Sequence, residues 1–413
     1  SRLPPGLLRM SSSRASVLAS LANLRHRSLA KRLAEGLRAP AAVSIAALTE
    51  SAQDLTPSKN LRNAQLLHDE LIARRASMVA SMLRLPEEIR DQAHVAALTE
   101  AQHSRLLRMM RSQRPRSHEE VGRFDAELSE WRDDGDDQDG ESRRAIGAAL
   151  GEVAQGCEKE HQGGDPSEWQ MRLDAQLDGV FAARIGIAFL TNHYLAAKAP
   201  HREGWSGSVQ LSCSPSERCE RMARLVEERC VARFGRAPRT VLHPDPKGRT
   251  FPFAPEHMDL VLHELLMNAS KAVLRKHALL EELPPMRVVV AAGDADVTIK
   301  VADEGGGLPR SRLRSVWSYR GRWEGGHADP ALQGPLRDLQ GLGLPIARLY
   351  AKYFGGSLHL TPVEGYGTDC YVTFASRPDA SCASLLALGA NQAGHSANVG
   401  GVGEGLFDAQ ARR

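Results

Sequence analysis

The sequence predicts a chain in two parts: an N-terminal four-helix bundle followed by an α/β sandwich, whose mixed sheet carries helices on one face. Two observations predict this fold class. In the first half, apolar residues recur at helical spacing in four long segments. In the second half, β-type runs alternate with helical segments, and glycine-rich turns separate them.

The composition is that of a globular chain, and it excludes several classes of protein. The chain has 413 residues, 42% of them hydrophobic, which is enough for two domains with separate cores. Lys and Arg number 53 and Asp and Glu number 50, so the net charge of +3 is too balanced for a nucleic-acid binder. No stretch reaches about 18 apolar residues, so no membrane span is expected. The six cysteines show no CxxC spacing, which indicates reduced thiols and not a zinc or disulfide framework.

Both ends of the chain differ in composition from the middle. Residues 1–37 are basic and serine-bearing, with no acidic residue before Glu35, which is typical of an organelle transit segment. A basic disordered tail is the alternative. The glycine-rich residues 381–413 are predicted to be a disordered tail. The helical domain would then span 38–199 and the α/β domain 200–380.

Helical spacing and turn residues predict the elements in chain order. The four helices of the first half are predicted over 60–84, 94–111, 143–160 and 167–197. Residues 199–215, rich in Pro, Gly, Ser and Trp, are predicted to be a hinge. The second half is predicted to contain helices over 217–234, 261–275 and 344–354, strands over 286–293 and 296–303, and a hairpin over 357–375.

One predicted helix carries a polar stripe that could hold a ligand. In VLHELLMNASKAVLR, Glu264, Asn268 and Lys271 fall at i, i+4 and i+7, and most of the remaining positions are apolar. A carboxylate and a carboxamide one turn apart can serve one ligand. The alternative is an ordinary amphipathic helix whose polar stripe faces water.

Three glycine-rich turns follow that helix along the chain. Asp303 ends a buried-looking strand and precedes glycines at 305–307, which let a ligand approach the backbone closely. A second run, Gly-Leu-Gly-Leu-Pro at 341–345, opens a helix, whose N-terminus suits phosphates. Thr368 follows a third turn and places a hydroxyl late in the sheet. Each turn alone is weak evidence, but their order together with the stripe indicates a single site.

That order, Glu–x3–Asn, Asp–x–Gly–x–Gly, Gly–x–Gly and Gly–Thr, resembles the ATP-binding fold shared by gyrase, Hsp90, bacterial histidine kinases and MutL. Neither a P-loop nor the HRD and DFG pair of eukaryotic-type kinases is present. The details most resemble the mitochondrial protein kinases of the 2-oxo acid dehydrogenase complexes. The matching pieces are HELLMNASKA, DEGGGLP, WSY, GLGLPIARLYAKYFGGSL and VEGYGTDCYV. The resemblance covers about residues 38–374.

The resemblance implies a mitochondrial protein serine kinase that uses ATP and Mg²⁺ and phosphorylates the E1 subunit of a pyruvate or branched-chain dehydrogenase complex. It makes Glu264 the general base and Asn268 the Mg²⁺ ligand, and it places Asp303 on the adenine amine. The ATP-binding residues that it implies are Asn268, Lys271, Asp303, Gly305, Gly307, Leu308, Gly341, Leu342, Gly343 and Thr368. A mobile nucleotide lid would span about 318–340.

The resemblance also implies partners and a location. The helical half would dock a lipoyl domain of the complex's E2 core in the mitochondrial matrix, and a homodimer is a further implication. Two of several departures from the family pattern bear on the phosphates and on an allosteric ligand. Met267 replaces a Lys next to the motif's Asn, which removes a cation expected near the phosphates. Arg184 keeps the first Arg of an allosteric anion pocket but Ala188 replaces the second, which argues against a 2-oxo acid ligand there.

Two other functions are compatible with the sequence. His68 lies in LLHDEL, which resembles the phospho-acceptor helix of bacterial sensors, so a histidine kinase is one alternative. The other is an ATP-binding pseudokinase or scaffold, which Met267 keeps open.

Overall fold

A computed structural model describes most of the two predicted domains. The described residues are 40–41, 43–133, 146, 166–313, 315–319, 342–376 and 381–382. The basic segment 1–37, most of the predicted helix 143–160 and nearly all of the glycine-rich tail lie outside them. The described elements follow the predicted fold class, a helical first half and a mixed sheet with helices in the second.

The first half consists of helices that pack around one long central helix. The helices are α1 Ile45–Ala52, α2 Pro57–Leu83, α3 Glu87–Arg90, α4 Ala93–Arg111, α5 His118–Asp133 and α6 Pro166–Lys198. Helix α2 contacts α4, α5 and α6. It begins where Thr56 accepts a hydrogen bond from the backbone of Lys59, and Pro57 occupies the first turn, where a missing N–H is tolerated.

Helix α5 was not among the predicted helices. Only three of its residues are buried apolar anchors, namely Val121, Phe124 and Leu128. Their spacing of i, i+3 and i+7 is helical, but polar and charged residues dominate the rest of the segment. The apolar signal was therefore too sparse to stand out.

Helix α6 is as apolar as a membrane-spanning helix, although it packs inside the fold. Within the described part of the chain, its residues Glu168–Lys198 alone are long and apolar enough to cross a membrane, and 67% of the most apolar window is buried inside the fold. Its most extensive packing contact is with α2. Burial between the helices of the first half therefore accounts for its hydrophobicity.

The predicted hinge at 199–215 is wrong, because strands form there. Strands β2 Trp205–Ser206 and β3 Val209–Cys213 make a hairpin around Gly207, which has a φ of +58°. Strand β3 also pairs with β5, Phe251–Phe253. Because Ser206 Oγ donates to the carbonyl of Thr49 in α1 at 2.7 Å, the hairpin is tied to the helical half.

The second half is built on a mixed five-stranded sheet. Its order is β4-β6-β7-β9-β8, with only the β4–β6 pair parallel, and the strands are β4 Thr240–His243, β6 Met286–Ala292, β7 Asp296–Asp303, β8 Ser357–Val363 and β9 Gly367–Ala375. Side chains of β7 alternate between buried and half-exposed, so one face of the sheet is covered. The covering helices are α7 Pro215–Phe234, α8 Pro255–Lys276 and α9 Gly343–Tyr353. A short strand β10, Ser381–Cys382, pairs with β1, Val43–Ser44.

An aromatic cluster joins the three-stranded sheet to the main sheet. Phe253 is fully buried, and its ring lies 5.1 Å from Phe354 and 5.2 Å from Phe374, both edge-on. Edge-on aromatic pairs add to the free energy of area burial. This cluster therefore anchors the start of α8 to the sheet that α8 covers.

We expect Phe253→Ala to lower the free energy of unfolding by about 3–5 kcal/mol, because it leaves a cavity in this cluster. Phe234→Ala is the matched control, since Phe234 is 40% exposed, and it should cost less than about 1 kcal/mol. Urea denaturation followed by circular dichroism measures both. Equal effects of the two substitutions would contradict the packing described.

Candidate functional site

The polar stripe of α8 forms a contact between two of its members. Nδ2 of Asn268 donates to Oε1 of Glu264 at 2.9 Å, and Glu264 is only 8% exposed. Helical spacing brings the two side chains together because residues four apart lie one above the other. The carboxamide Oδ1 takes no part in this bond and remains the atom suited to a cation. The alternative of a solvent-facing stripe is therefore wrong for Glu264.

The first turn of α9 lies directly against the Glu264 carboxylate. A Cβ added to Gly343 would overlap the Glu264 side-chain oxygens and carboxyl carbon. Only glycine allows the two helices to approach this closely. The N-terminus of a helix carries partial positive charge, which favours an anion at this place. The contact thus accounts for a buried carboxylate and for the glycine beside it.

Asp303 lies at the end of β7, opposite Thr368 of β9 in the strand register. It is 7% exposed, and its Oδ1 accepts from the backbone N–H of Gly305 at 2.7 Å. Burial raises the pKa of Asp303 above its ordinary value, and the backbone N–H groups of Gly305 and Thr368 oppose this rise. A buried carboxylate at a strand end is chemically suited to accept a hydrogen bond from an exocyclic amine.

Two glycine turns are bonded to each other beside Asp303. Gly306 donates to the carbonyl of Tyr366 at 3.0 Å, and Gly365 donates to the carbonyl of Gly306 at 2.8 Å. Lys276, in the last turn of α8, donates its Nζ to Gly365 O at 2.7 Å. The predicted first and third turns are therefore parts of one structure.

The glycines at these turns are required by the protein itself. A Cβ on Gly305 would overlap Ala272, one on Gly307 would overlap the carbonyl of Val363, and Gly307 has a φ of +66°. From the sequence, we attributed these glycines to the close approach of a ligand to the backbone. Close approach of the protein's own backbone is a second and independent reason.

The remaining predicted residues lie at different distances from this centre. Leu342 is buried and precedes α9, where its carbonyl accepts from Ile346, so its role there is packing and backbone bonding. Leu308 is half-buried after the glycine turn. Lys271 is half-buried and close enough to His263 to lower the pKa of that imidazole. Gly341 lies outside the described residues.

Met267 does not lie between Glu264 and Asn268 in space. It is 6% exposed, and its Sδ is 3.9 Å from Sγ of Cys230 on α7. A residue one position before Asn268 points about 100° away from it around the helix. Met267 therefore supplies no polar group to the Glu264–Asn268 pair, in keeping with the loss of a cation at this position. Here the side chain belongs to the core between α7 and α8.

The contact between His263, the neighbour of Glu264, and helix α7 was not predicted from the sequence. Its Nε2 lies 2.7 Å from Nη1 of Arg229. Burial, Arg229 and Lys271 together lower the pKa of His263 to about 3, so the imidazole is neutral at physiological pH. A neutral imidazole that accepts from Arg229 holds α7 and α8 in register.

The start of the predicted lid is held against the helical half. Tyr319 is fully buried, stacks on Phe181 of α6 at 5.5 Å, and donates its hydroxyl to Asp178 at 2.8 Å. Ser318 is also buried. The prediction that a mobile lid begins at Ser318 is therefore wrong for these two residues, and 320–340 lie outside the described part.

His68 is poorly placed to accept a phosphate. It is 7% exposed, its Nδ1 lies 3.4 Å from Asp69 Oδ1, and its Nε2 lies 3.3 Å from the carbonyl of Ser112. Its ring also meets Phe124 edge-on. Both ring nitrogens thus have protein neighbours inside the first half, which argues against the histidine-kinase alternative.

A cavity of about 440 Å³ lies between the helical half and the α/β half, apart from Glu264 and Asp303. Arg75, Arg184 and Ala188 are among the residues that line it. Arg75 is 1% exposed and donates to Gln102 Oε1 at 2.5 Å. Arg184 and Ala188 therefore line a space that includes neither Glu264 nor Asp303, and the argument from Ala188 against a 2-oxo acid ligand there stays a prediction.

The oxygen atoms on α8 fit Mg²⁺ as it occurs in nucleotide sites. No cluster of three or more His, Cys, Asp or Glu side chains that could hold a metal occurs among the described residues. Mg²⁺ is commonly held by one or two protein oxygens together with phosphates and water. The Asn268 amide oxygen beside the Glu264 carboxylate is such a donor set.

The chain is similar to known proteins in both halves. Residues 42–210 match the family described as mitochondrial branched-chain alpha-ketoacid dehydrogenase kinase. Residues 254–378 match the family described as histidine kinase-, DNA gyrase B-, and HSP90-like ATPase. The second match contains Glu264, Asn268, Asp303, Gly343 and Thr368.

Similar curated proteins are mitochondrial [pyruvate dehydrogenase (acetyl-transferring)] kinases. The protein from Arabidopsis thaliana is 35% identical over 204 residues, which is 48% of this chain and 56% of the relative. The protein from Schizosaccharomyces pombe is 34% identical over 211 residues, 48% of each chain. Isozyme 1 from Mus musculus is 32% identical over 229 residues, 52% of this chain and 51% of the relative. The chain thus spans about half the length of the curated relatives it matches.

We expect Gly343→Ala to displace the Glu264 carboxylate, because the added methyl group overlaps it. The variant should bind a fluorescent ATP analogue at least about tenfold more weakly, a loss of about 1.4 kcal/mol. Gly122→Ala in α5 is the control, since a Cβ there meets nothing within 4 Å. Unchanged binding by Gly343→Ala would mean that α9 does not form part of the site.

Proposed function

From the matches over residues 42–210 and 254–378, we propose that the chain is a protein kinase of the mitochondrial 2-oxo acid dehydrogenase kinase family, within the gyrase, Hsp90, histidine kinase and MutL superfamily. Its substrates are MgATP and a serine on the E1 subunit of a 2-oxo acid dehydrogenase complex. The observation that carries this proposal is the buried Glu264–Asn268 pair under the first turn of α9.

Glu264 acts as the general base in this proposal. Its carboxylate takes the proton of the serine hydroxyl as the oxygen attacks the γ-phosphorus of ATP, and the bond from that phosphorus to the bridging oxygen breaks to release ADP. Asn268 holds it in place through the Nδ2 bond of 2.9 Å. A positioned base of this kind contributes about 10²- to 10⁴-fold to the rate. Most of the remaining acceleration comes from aligning the reactants.

The other site residues hold the nucleotide. Asp303 accepts from the adenine amine, and Thr368 lies opposite it in the sheet register to hydrogen-bond nearby. The first turn of α9 at Gly343, with Gly341 before it, faces the phosphates, and Lys271 adds a cation from α8. Asn268 Oδ1 would hold Mg²⁺, which would supply neutralisation of the phosphate charge.

The substrate complex and the partners follow from the same similarity. The relatives are named as mitochondrial kinases of pyruvate dehydrogenase, and the match to 42–210 is to a branched-chain enzyme, so both complexes are candidates. We place the protein in the mitochondrial matrix, with the helical half docking an E2 lipoyl domain and the chain forming a homodimer. Purified E1 of both complexes, with and without a lipoyl domain, distinguishes the substrates through phosphoserine formation.

Glu264→Gln is expected to lower phosphoserine formation at least about 100-fold, because glutamine cannot accept the proton. Its carbonyl oxygen can still accept from Asn268, so ATP affinity should change little. Glu256→Gln is the matched control, since Glu256 is exposed in the first turn of the same helix. Full transfer by Glu264→Gln would contradict the general-base role. ATP binding without transfer to either E1 by the wild type would favour the pseudokinase alternative.

Asn268→Ala should remove the effect of Mg²⁺ on ATP binding, because the alanine has no oxygen ligand. Calorimetric titration with and without Mg²⁺ measures this effect. Asn63→Ala is the control, since the Asn63 amide donates to Ser51 O at 2.8 Å in the helical half. A variant whose ATP affinity still responds to Mg²⁺ like the wild type would exclude Asn268 as a ligand.

A further inference from the structure

Asp174, on α6 of the helical half, accepts three hydrogen bonds around the segment 315–319. The backbone N–H of Tyr319 donates to its Oδ1 at 3.1 Å, and Oγ of Ser318 lies 3.2 Å from the same oxygen. Nε2 of Gln170, one turn earlier on α6, donates to it at 3.0 Å. One carboxylate of the helical half therefore holds two consecutive residues of the α/β half.

Asp178 lies one turn further along α6 and holds two more groups. The Tyr319 hydroxyl donates to it at 2.8 Å, and Nη2 of Arg348 on α9 lies 3.8 Å from its Oδ2. The Arg348 guanidinium also lies over the Trp317 ring, 5.3 Å from its centroid. Segment 315–319 and α9 are therefore both attached to the same face of α6.

These two attachments lie on either side of residues 320–341 in the chain. Segment 315–319 follows the glycine turn beside Asp303, and α9 begins at Gly343 against the Glu264 carboxylate. A shift of α6 would therefore move the adenine side and the phosphate side of the site together.

We infer that Asp174 and Asp178 are positioning residues of the nucleotide site, through which the helical half controls nucleotide affinity. Neither residue touches the reacting atoms in this scheme. Asp174 acts through Ser318 and Tyr319, and Asp178 acts through Tyr319 and Arg348. The inference rests on the proposed function, since it requires that the chain binds MgATP or MgADP.

The charge on Asp174 gives this control a pH dependence. Burial raises the pKa of Asp174 to about 6, and the carboxylate of Asp178 also raises it, while the donors Tyr319, Gln170 and Ser318 oppose the rise. The other charged groups nearby are Arg348 and Lys352 of α9, which face Asp178. Above pH 6 the ionised carboxylate accepts all three hydrogen bonds, and protonation removes part of this acceptor capacity.

The same pKa has the opposite consequence for folding. Because the folded-state pKa of Asp174 is raised above the ordinary value of 3.8, the ionised form costs folding stability, and this cost is fully present above about pH 6. A residue kept only for stability would not carry such a cost. Asp174→Asn should therefore weaken nucleotide binding without lowering the melting temperature at pH 7.5.

The test is the affinity of the full chain for MgADP from pH 5.5 to 8.0, measured by calorimetry for matched variants. Asp174→Asn removes the charge of the acceptor but keeps an oxygen at Oδ1, and Tyr319→Phe removes the hydroxyl that donates to Asp178. Tyr194→Phe is the control, because it deletes another phenol hydroxyl of α6, one that donates to Asp125 of α5 at 2.8 Å. The ionisation of ADP is the same in every titration. The ratio of each variant's MgADP affinity to that of the wild type therefore reports only on ionisation of the protein.

We expect Asp174→Asn and Tyr319→Phe to weaken MgADP binding at pH 7.5 by at least about fivefold, the lower range of coupling between sites. The ratio of the wild-type MgADP affinity to that of Asp174→Asn should fall towards one below pH 6. Tyr194→Phe should bind MgADP like the wild type. Wild-type affinity and pH profile in both test variants would overturn the inference. A wild-type chain that binds no nucleotide at any pH would instead overturn the proposed function.

Discussion

The contact between the Glu264 carboxylate and the backbone of Gly343 organises the α/β half of this protein. A carboxylate that is 8% exposed is costly unless donors or positive charge surround it. Here Asn268 donates from the same helix, and the first turn of α9 supplies the positive end of a helix. Because only glycine fits at 343, this pair allows α8 and α9 to approach closely. The same contact places the Glu264 carboxylate, the proposed base, beside the N-terminus of α9, which is the kind of helix end that binds phosphate.

The rest of the site is held by backbone contacts between strands and turns. Gly306 and Gly365 bond to each other's segments, and Gly367 lies so close to the Asp303 carbonyl that a Cβ there would overlap it. Asp303 is consequently fixed at the end of β7, and within the described part of the chain the hydrogen bonds to its carboxylate come from the backbone of Gly305 and Thr368. The helical half reaches this assembly from the other side, through the carboxylates Asp174 and Asp178 of α6.

The parts of the fold that repeat locally could be predicted from sequence. The 3.6-residue period of α8 and the alternation of β7 depend on neighbours within a few positions, so both elements and the Glu264–Asn268 pair were found. The helix α5 was missed because three apolar anchors are a weak signal. The β2–β3 hairpin was mistaken for a hinge because short strands with glycine look like loops.

The errors at the site came from contacts between distant segments. The motif gave no indication that the Met267 side chain packs on Cys230, 37 positions earlier in the chain. Tyr319 was assigned to a mobile lid, yet it is buried against α6 through residues more than 130 positions away. The close contact of Gly343 with Glu264 likewise depends on where α9 packs against α8. No local pattern encodes these distances.

The most direct test of this account is a crystal structure of the chain with Mg²⁺ and a non-hydrolysable ATP analogue. We expect the adenine amine on Asp303, the phosphates at the first turn of α9, and Mg²⁺ at about 2.0–2.1 Å from Asn268 Oδ1. The nucleotide in the cavity lined by Arg75 and Arg184, with the α8 site empty, would contradict it.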